Sequence, residues 1–254
     1  LLIGTAKSFN FCDNKNDGLP VPEKTDRQTF SGVFMVDLEK HGNVYTLTFE
    51  EADGNALTLE LLNDLHAAFD KVIEDSKGPC ALVLTATGKS FSSGLSIRAM
   101  SAYKAQELTQ FGDAMQKLYG RLINFPVPTV AALNGHAFAG GAFLALACDY
   151  RVMREDKGWF CISEVDVGVA IAPNIMEVAK LKMAPNVLRD AVLTGKRYSG
   201  QACLELGLAD TICSEAALLD MALEIVKPIA TKKRHIYKAL KSSLYAPCAK
   251  GLGV

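Results

Sequence analysis

The chain has 254 residues, of which 49% are hydrophobic and 22% charged, and its formal net charge is −1. This composition is typical of a globular protein with a large core. A net charge so close to zero gives no overall field that would favour nucleic acid or an anionic membrane surface. No apolar stretch reaches the length needed to span a bilayer. We therefore expect neither a nucleic-acid partner nor a membrane span.

The seven cysteines are scattered along the chain, and none shows C-x-x-C spacing. An odd number without paired spacing argues against a disulfide framework and against a zinc site. The first residues lack the order of a complete secretory signal, and neither terminus carries a legible compartment address.

The predicted elements alternate between strands and helices after a polar, turn-rich stretch at residues 1–31, which we interpret as a flexible extension. In chain order they are a hairpin about the turn 41–43, a helix at 58–75, a strand at 80–87, a helix at 105–125, strands at 129–133, 149–153 and 159–164, helices at 174–183, 186–193 and 199–207, and a helical stretch from 215 to about 243 broken at Pro228. Such alternation favours the α/β class with a partly parallel sheet. We predict a core at 32–200 and a helical C-terminal region at 201–254.

Two glycine-rich segments each follow a predicted strand and precede a predicted helix. The first, "ATGKSFSSG", ends like a phosphate loop, but Val83 stands where that loop needs its first glycine. The second is "NGHAFAGGAFLALA" at 134–147. Two such junctions could direct backbone N–H groups at one point and hold a developing oxyanion. The spacing alone favours the simpler interpretation, two ordinary strand-to-helix turns.

The segments "GKSFSSGLSI" and "PVPTVAALNGHAFAGGAFLALACDYRVM" resemble the two oxyanion-hole segments of the crotonase (enoyl-CoA hydratase/isomerase) superfamily. The similarity continues through "ISEVDVGVAIAP" and "GKRYSGQACLELGLADTI" and covers roughly residues 33–245. It implies a spiral of ββα units with a C-terminal helical trimerisation region. It also implies an acyl-CoA substrate, no separate cofactor or metal, and a homotrimer or dimer of trimers.

The resemblance also assigns roles to individual residues. The two oxyanion N–H groups fall on Leu95 and Gly140, and a catalytic carboxylate falls on Glu164. Hydratases of the family carry a second glutamate at the position of Phe143. The sequence therefore resembles the Δ3,Δ2-enoyl-CoA isomerases, in which one carboxylate moves a proton from C2 to C4. Without the resemblance, Glu164 would be interpreted as a solvated carboxylate at a strand end.

Other residues near these motifs have two interpretations each. Phe138, Met100 and Trp159 line an acyl pocket or belong to the ordinary core. The basic residues near the C-terminus form a solvated helical face or bind the CoA phosphates, and the candidates are Lys232, Lys233, Arg234 and Lys238.

Three further polar residues are interpreted as scaffold: His136 beside the oxyanion segment, Asp166 near the catalytic carboxylate, and Asp149 as a tether for a strand start. Two alternative functions stay open. One is another crotonase activity, such as hydratase or thioester hydrolase, and the other is a catalytically silent acyl-CoA-binding scaffold. Fatty-acid oxidation implies a peroxisomal or mitochondrial-matrix location.

Overall fold

The computed structural model describes residues 36–254 together with the backbone of the two-residue strand 28–29. The predicted extension at 1–31 otherwise lies outside the described residues. Within them, no helix is both long and apolar enough to cross a membrane.

The described chain is a mixed α/β structure with two sheets. The strands are β1 (Gln28–Thr29), β2 (Val36–His41), β3 (Val44–Phe49), β4 (Ala81–Ala86), β5 (Ser90–Ser92), β6 (Thr129–Leu133), β7 (His136–Phe138), β8 (Tyr150–Arg154), β9 (Phe160–Cys161) and β10 (Thr211–Cys213). The helices are α1 (Ala52–Asn55), α2 (Leu59–Asp75), α3 (Ile97–Ala102), α4 (Ala105–Ile123), α5 (Gly140–Ala147), α6 (Glu164–Val167), α7 (Pro173–Lys182), α8 (Pro185–Thr194), α9 (Gly200–Glu205), α10 (Leu218–Val226) and α11 (Arg234–Gly251), with a 3₁₀ turn at Glu215–Ala217.

The larger sheet has seven strands in the order β1-β2-β3-β4-β6-β8-β10, antiparallel from β1 to β3 and parallel beyond. The smaller sheet is parallel, in the order β5-β7-β9. Each of its strands follows a strand of the larger sheet and is followed by a helix, so the chain repeats a strand–strand–helix unit. The predicted spiral of ββα units is confirmed.

The central strand β4 is buried along its whole length because helices cover both faces of the larger sheet. Leu82 and Leu84 point into the main core, whereas Ala81 and Val83 pack with the apolar face of α10 on the other side. Burial on two faces explains why the sequence of β4 is a continuous apolar run rather than an alternating one.

One prediction about local structure was wrong. The predicted strand at 159–164 ends at Cys161, and Glu164 is the first residue of the short helix α6. The amides of Asp166 and Val167 turn back to donate to the Ser163 carbonyl, and Gly168 ends the helix in a left-handed conformation with φ of 69°. The β-branched residues Val165 and Val167 favour a strand by propensity, but both are exposed on this turn.

The region after residue 200 also differs from the prediction in detail. It contains the strand β10, which extends the larger sheet in parallel with β8. The last helix, α11, continues to Gly251, past the predicted end near 243.

A buried ion pair fastens α11 to the sheet. The Lys241 Nζ donates to Asp149 Oδ2 at 2.7 Å, and both side chains are at most 9% exposed. The same oxygen accepts hydrogen bonds from the Thr129 amide (3.0 Å) and the Tyr237 hydroxyl (3.1 Å). Because Thr129 begins β6, the predicted tether at Asp149 is confirmed. Burial lowers the pKa of Lys241, and the Asp149 carboxylate opposes that effect.

We expect Asp149→Asn to lower the free energy of unfolding by about 3–5 kcal/mol, because it leaves the Lys241 charge buried without a counter-charge. Urea denaturation measures the change. Lys180→Met is the matched control, since Lys180 forms an ion pair with Glu177 that is about half exposed, and its loss should cost less than about 1 kcal/mol. Equal effects of the two substitutions would contradict the role given to the buried pair.

Candidate active site

The two strand-to-helix junctions singled out in the sequence meet at Gly94. A Cβ at Gly94 would lie 2.7 Å from the Ala139 Cβ, 2.9 Å from the Phe138 carbonyl oxygen and 3.2 Å from the Gly140 nitrogen. The first two distances are shorter than real Cβ contacts, the third is tighter than most, and Gly94 also has a φ of 93°. Only glycine satisfies both conditions. The close approach sets the two junctions side by side.

A second close approach seats helix α5 on β5. A Cβ at Gly141 would lie 2.6 Å from both the Cβ and the carbonyl oxygen of Ser92. At the neighbouring Gly140, a Cβ would meet only side-chain atoms, at 3.1–3.2 Å. The Gly-Gly step therefore serves packing at its second glycine and leaves the first facing the cavity described below.

The residue before this step has an unusual backbone. Ala139 has φ of 50° and ψ of −123°, a combination that side-chain-bearing residues rarely adopt. Its amide donates to the Cys161 carbonyl (2.9 Å), and its carbonyl accepts from the amides of Ala142 (2.9 Å) and Phe143 (3.2 Å). These bonds hold a conformation that costs of the order of 1–3 kcal/mol, and that conformation fixes the direction of the Gly140 N–H.

Within residues 36–254, the N–H groups of Leu95 and Gly140 donate no hydrogen bond. The neighbouring carbonyl groups, in contrast, are hydrogen-bonded. The Gly94 carbonyl accepts from the Leu57 amide (2.7 Å), and the Gly140 carbonyl accepts from the Tyr119 hydroxyl (2.8 Å). Both residues line a cavity of about 120 Å³. Two unpaired donors at a partly closed cavity are suited to bind an anionic oxygen.

The remaining lining of this cavity is largely apolar. It consists of Met115, Gln116 and Tyr119 from α4, Phe143 from α5, Glu164 from α6, and Val169, Ala170, Ile171, Ala172 and Ile175 around the start of α7. Four of the residues named from the sequence, Leu95, Gly140, Phe143 and Glu164, therefore come together. The sole carboxylate in this lining is that of Glu164.

The Glu164 carboxylate is held in a nearly dry environment. The residue is 7% exposed, and its Oε2 atom has no hydrogen-bond partner among the described residues. Burial raises the pKa of Glu164 above its ordinary value of 4.5, opposed by a hydrogen bond from its own backbone amide. Burial, with a further contribution from the Glu164 charge, also raises the pKa of Tyr119. Tyr119 therefore stays a neutral hydrogen-bond donor.

Sequence reasoning missed Tyr119 and Gln116. The apolar spacing of α4 predicts that this face is buried, but it does not indicate which cavity the face meets. Asn174 donates a side-chain hydrogen bond to the Gln116 Oε1 atom and another to the Gly251 carbonyl (3.2 Å). The cavity wall is thereby linked to the end of α11.

Three predicted pocket residues lie elsewhere. Trp159 is 41% exposed and lines a separate groove of about 570 Å³ with His136, next to β9. Phe138 is half-buried. Its ring centroid lies 5.0 Å from that of the His136 ring and 5.6 Å from the Arg197 guanidinium carbon. Met100 is half-buried on α3 and packs against the main core. Their contact with substrate stays a prediction.

The predicted phosphate-binding cations are placed at the other end of the sheet. Lys233, Arg234 and Lys238 line a groove with residues 77–79 and 124–126, which precede β4 and β6. Leu95 and Gly140 follow those two parallel strands. A strand rises about 3.3 Å per residue, so the six residues of β4 separate the groove from the cavity by roughly 20 Å.

Ser96 is the N-cap of α3, where its hydroxyl accepts a hydrogen bond from the Ala99 amide at 3.2 Å. The scaffold interpretation of Asp166 agrees with the geometry. Asp166 is exposed on α6 and does not line the cavity.

Comparison with known proteins agrees with this geometry. The family model described as enoyl-CoA hydratase/isomerase matches residues 39–252. The chain is 30% identical to the peroxisomal enoyl-CoA delta isomerase 2 of Arabidopsis thaliana, covering 87% of this chain and 96% of that protein. It is 31% identical to a putative enoyl-CoA hydratase of Thermus thermophilus, covering 86% of each. The solved structure of a probable enoyl-CoA hydratase from Mycobacterium tuberculosis superposes with a TM-score of 0.79 at 26% identity, covering 86% of this chain and 91% of that one.

These relatives carry both isomerase and hydratase names at similar identity, so the likeness shows the family rather than the reaction. Together with the two sheets and the paired glycine junctions, it leads to one conclusion: the chain belongs to the enoyl-CoA hydratase/isomerase (crotonase) family.

Proposed function

We propose that this protein is a Δ3,Δ2-enoyl-CoA isomerase, which moves the double bond of a 3-enoyl-CoA to the trans-2 position. The observation that carries the proposal is the composition of the cavity: one buried carboxylate, that of Glu164, and two residues with unpaired N–H groups, Leu95 and Gly140, share a largely apolar lining. Hydration needs a second acid or base to activate water. Phe143, 1% exposed, occupies the position where the family resemblance puts that group in hydratases.

The proposed reaction is a proton transfer along the substrate. The Glu164 carboxylate removes a proton from C2 of the 3-enoyl thioester, and the electron pair moves to the thioester oxygen. The N–H groups of Leu95 and Gly140 stabilise that oxyanion. The same carboxyl group then returns the proton to C4 as the double bond forms between C2 and C3. Atoms and charge balance without a metal or a redox group.

The apolar surroundings suit this chemistry for two reasons. A carboxylate with a raised pKa is a stronger base than one in water, and its pKa lies closer to neutral pH. A lining without water-activating side chains also favours return of the proton to C4 over addition of water to the double bond.

The same proposal extends to assembly and location. We propose a homotrimer or a dimer of trimers. In support, α11 exposes an apolar stripe of Ile236, Leu240 and Leu244, four residues apart, on the side away from its Lys238. A peroxisomal location is supported by the peroxisomal name of one relative, and the mitochondrial matrix stays an alternative. Native mass measurement tests the assembly.

Glu164→Gln should lower kcat/KM for isomerisation of a 3-enoyl-CoA by about 10²–10⁴-fold, because the amide cannot accept the C2 proton. Absorbance of the conjugated product measures the rate. Asp166→Asn, two residues further along the same helix, is the matched control and should retain wild-type kcat/KM. A Glu164→Gln variant as active as wild type would refute the mechanism, and hydration of a 2-enoyl-CoA as the principal activity would refute the function.

Gly94→Ala should lower kcat by at least about 10²-fold, because the new methyl group pushes Ala139 and the Gly140 amide away from Leu95 and misaligns a donor. Gly88→Ala is the matched control. Gly88 also has a positive φ, of 75°, but a Cβ there meets no atom within 4 Å. Steady-state kinetics on both variants separates backbone strain, which they share, from the clash, which is specific to Gly94. Equal losses in the two variants would argue against the shared oxyanion site.

The raised pKa of Glu164 predicts opposite effects of pH on activity and on stability. Activity requires the carboxylate, so kcat/KM should rise with pH through a pKa above 4.5. The folded state binds the Glu164 proton more tightly than the unfolded state, so ionisation of Glu164 lowers the free energy of unfolding as pH rises through the same range.

Glu164→Gln removes that titration. The variant should be more stable than wild type at pH 8, and the difference should vanish below about pH 4.5, where the carboxyl group is protonated in both states. Urea denaturation of both proteins at several pH values measures this. A stability difference that grows as the pH falls would contradict the buried, unpaired state of Glu164.

A further inference from the structure

Basic side chains line a groove at the amino edge of the larger sheet. It has a volume of about 680 Å³, within the range of small-molecule sites. Its floor is apolar and includes Ile73, Phe125 and Pro126. Its lining contains six basic side chains and no Asp or Glu side chain; the basic residues are Lys77, Arg121, Lys233, Arg234, His235 and Lys238.

Most of these basic side chains form no ion pair with the described residues. Within residues 36–254, Lys77, Lys233, His235 and Lys238 have neither an ion pair nor a side-chain hydrogen bond. Arg121 is the exception, because it pairs with Asp70 at 2.5 Å.

The Arg234 guanidinium is fixed in place without being neutralised. It donates to the Ile73 carbonyl (3.2 and 3.3 Å) and to the Ser76 hydroxyl (3.1 Å), at the end of α2. The neighbouring acid Asp75 pairs with Lys71 instead, at 3.0 Å. A pre-oriented guanidinium on a concave surface is suited to bind a phosphate group.

The start of α11 adds to the positive potential of the groove. Lys233, Arg234 and His235 occupy the N-cap and first two positions of this 18-residue helix, which has no acidic residue in its first turn. Cations are unfavourable at that end of a helix, where the dipole is already positive. The amides of Arg234 and His235 have no acceptor in the described residues. Repulsion of this kind is relieved when an anion binds.

We propose that this groove is a second ligand site, separate from the acyl-CoA cavity, that binds a small molecule bearing a diphosphate group. Lys77, Lys233 and Lys238 supply charge, Arg234 supplies directed donors, and the start of α11 supplies free N–H groups. The apolar floor accommodates an organic body attached to the diphosphate. The site goes beyond the proposed isomerase function, and neither depends on the other.

Titration of the full chain with inorganic pyrophosphate, followed by amide chemical shifts in NMR, tests the proposal. We expect saturable shifts at Gly78, Arg234 and Lys238 and none at Leu95 or Gly140. A parallel titration with ADP tests whether an organic body attached to the diphosphate contributes to binding. Tighter binding of ADP than of pyrophosphate would show that the apolar floor contributes, and equal binding would show that the groove recognises the diphosphate alone.

The matched variants carry the same charge change at different places. Lys77→Glu combined with Lys238→Glu alters the groove, whereas Lys232→Glu combined with Lys250→Glu alters exposed lysines outside its lining. We expect the groove variant to weaken pyrophosphate binding at least about tenfold through lost charge-assisted contacts, and the control variant to weaken it far less.

Three results would overturn the proposal. They are the absence of saturable shifts in the wild-type protein at millimolar pyrophosphate, shifts confined to the residues of the acyl-CoA cavity, and equal weakening in the two variants. The wild-type shift map decides the matter even if a variant does not fold. None of these results bears on the isomerase assay, so the two proposals fail independently.

Discussion

The candidate active site depends on the close approach of two chain segments at Gly94. Each segment leaves the larger sheet, forms a short strand of the smaller sheet and enters a helix. The distance from Gly94 to Ala139 and Gly140 leaves no room for a Cβ. Hydrogen bonds with β9 and α5 hold Ala139 in its unusual conformation. As a result, Leu95 and Gly140, whose N–H groups have no acceptor among the described residues, line one cavity. In the proposed mechanism these two N–H groups bind the oxyanion.

The second constraint is the cost of a buried carboxylate. Glu164 has one oxygen without a partner and an apolar surrounding, so its ionised form lowers the stability of the fold. In the proposed mechanism, the same burial strengthens Glu164 as a base. The burial that favours the proposed activity therefore lowers the stability of the fold, a trade-off that is common at catalytic groups. The buried Asp149–Lys241 pair differs, because its charges compensate each other and fasten α11 to the sheet.

The sequence predicted the fold class, the ββα spiral and the grouping of Leu95, Gly140, Phe143 and Glu164, because glycine spacing and order in the chain are specific to this family. It was wrong about the element that carries Glu164, since the β-branched Val165 and Val167 mimic a strand in an exposed helical turn.

It also could not place residues that reach the site through tertiary packing. Tyr119 lies on a helix whose apolar face has several equivalent positions, and nothing in its spacing indicates a bond to Gly140. The basic residues of α11 lie far from the two glycine-rich junctions, both along the sequence and in the structure. Their position at the opposite edge of the sheet follows from strand direction alone.

Deuterium labelling follows the hydrogen atom that the proposed mechanism transfers. In that mechanism a single buried carboxylate, that of Glu164, carries the proton from C2 to C4. A 3-enoyl-CoA labelled with deuterium at C2 should give a 2-enoyl-CoA that retains part of the label at C4, measured by mass spectrometry and NMR, with no 3-hydroxyacyl-CoA. A product without deuterium at C4, or a hydrated product, would contradict the mechanism.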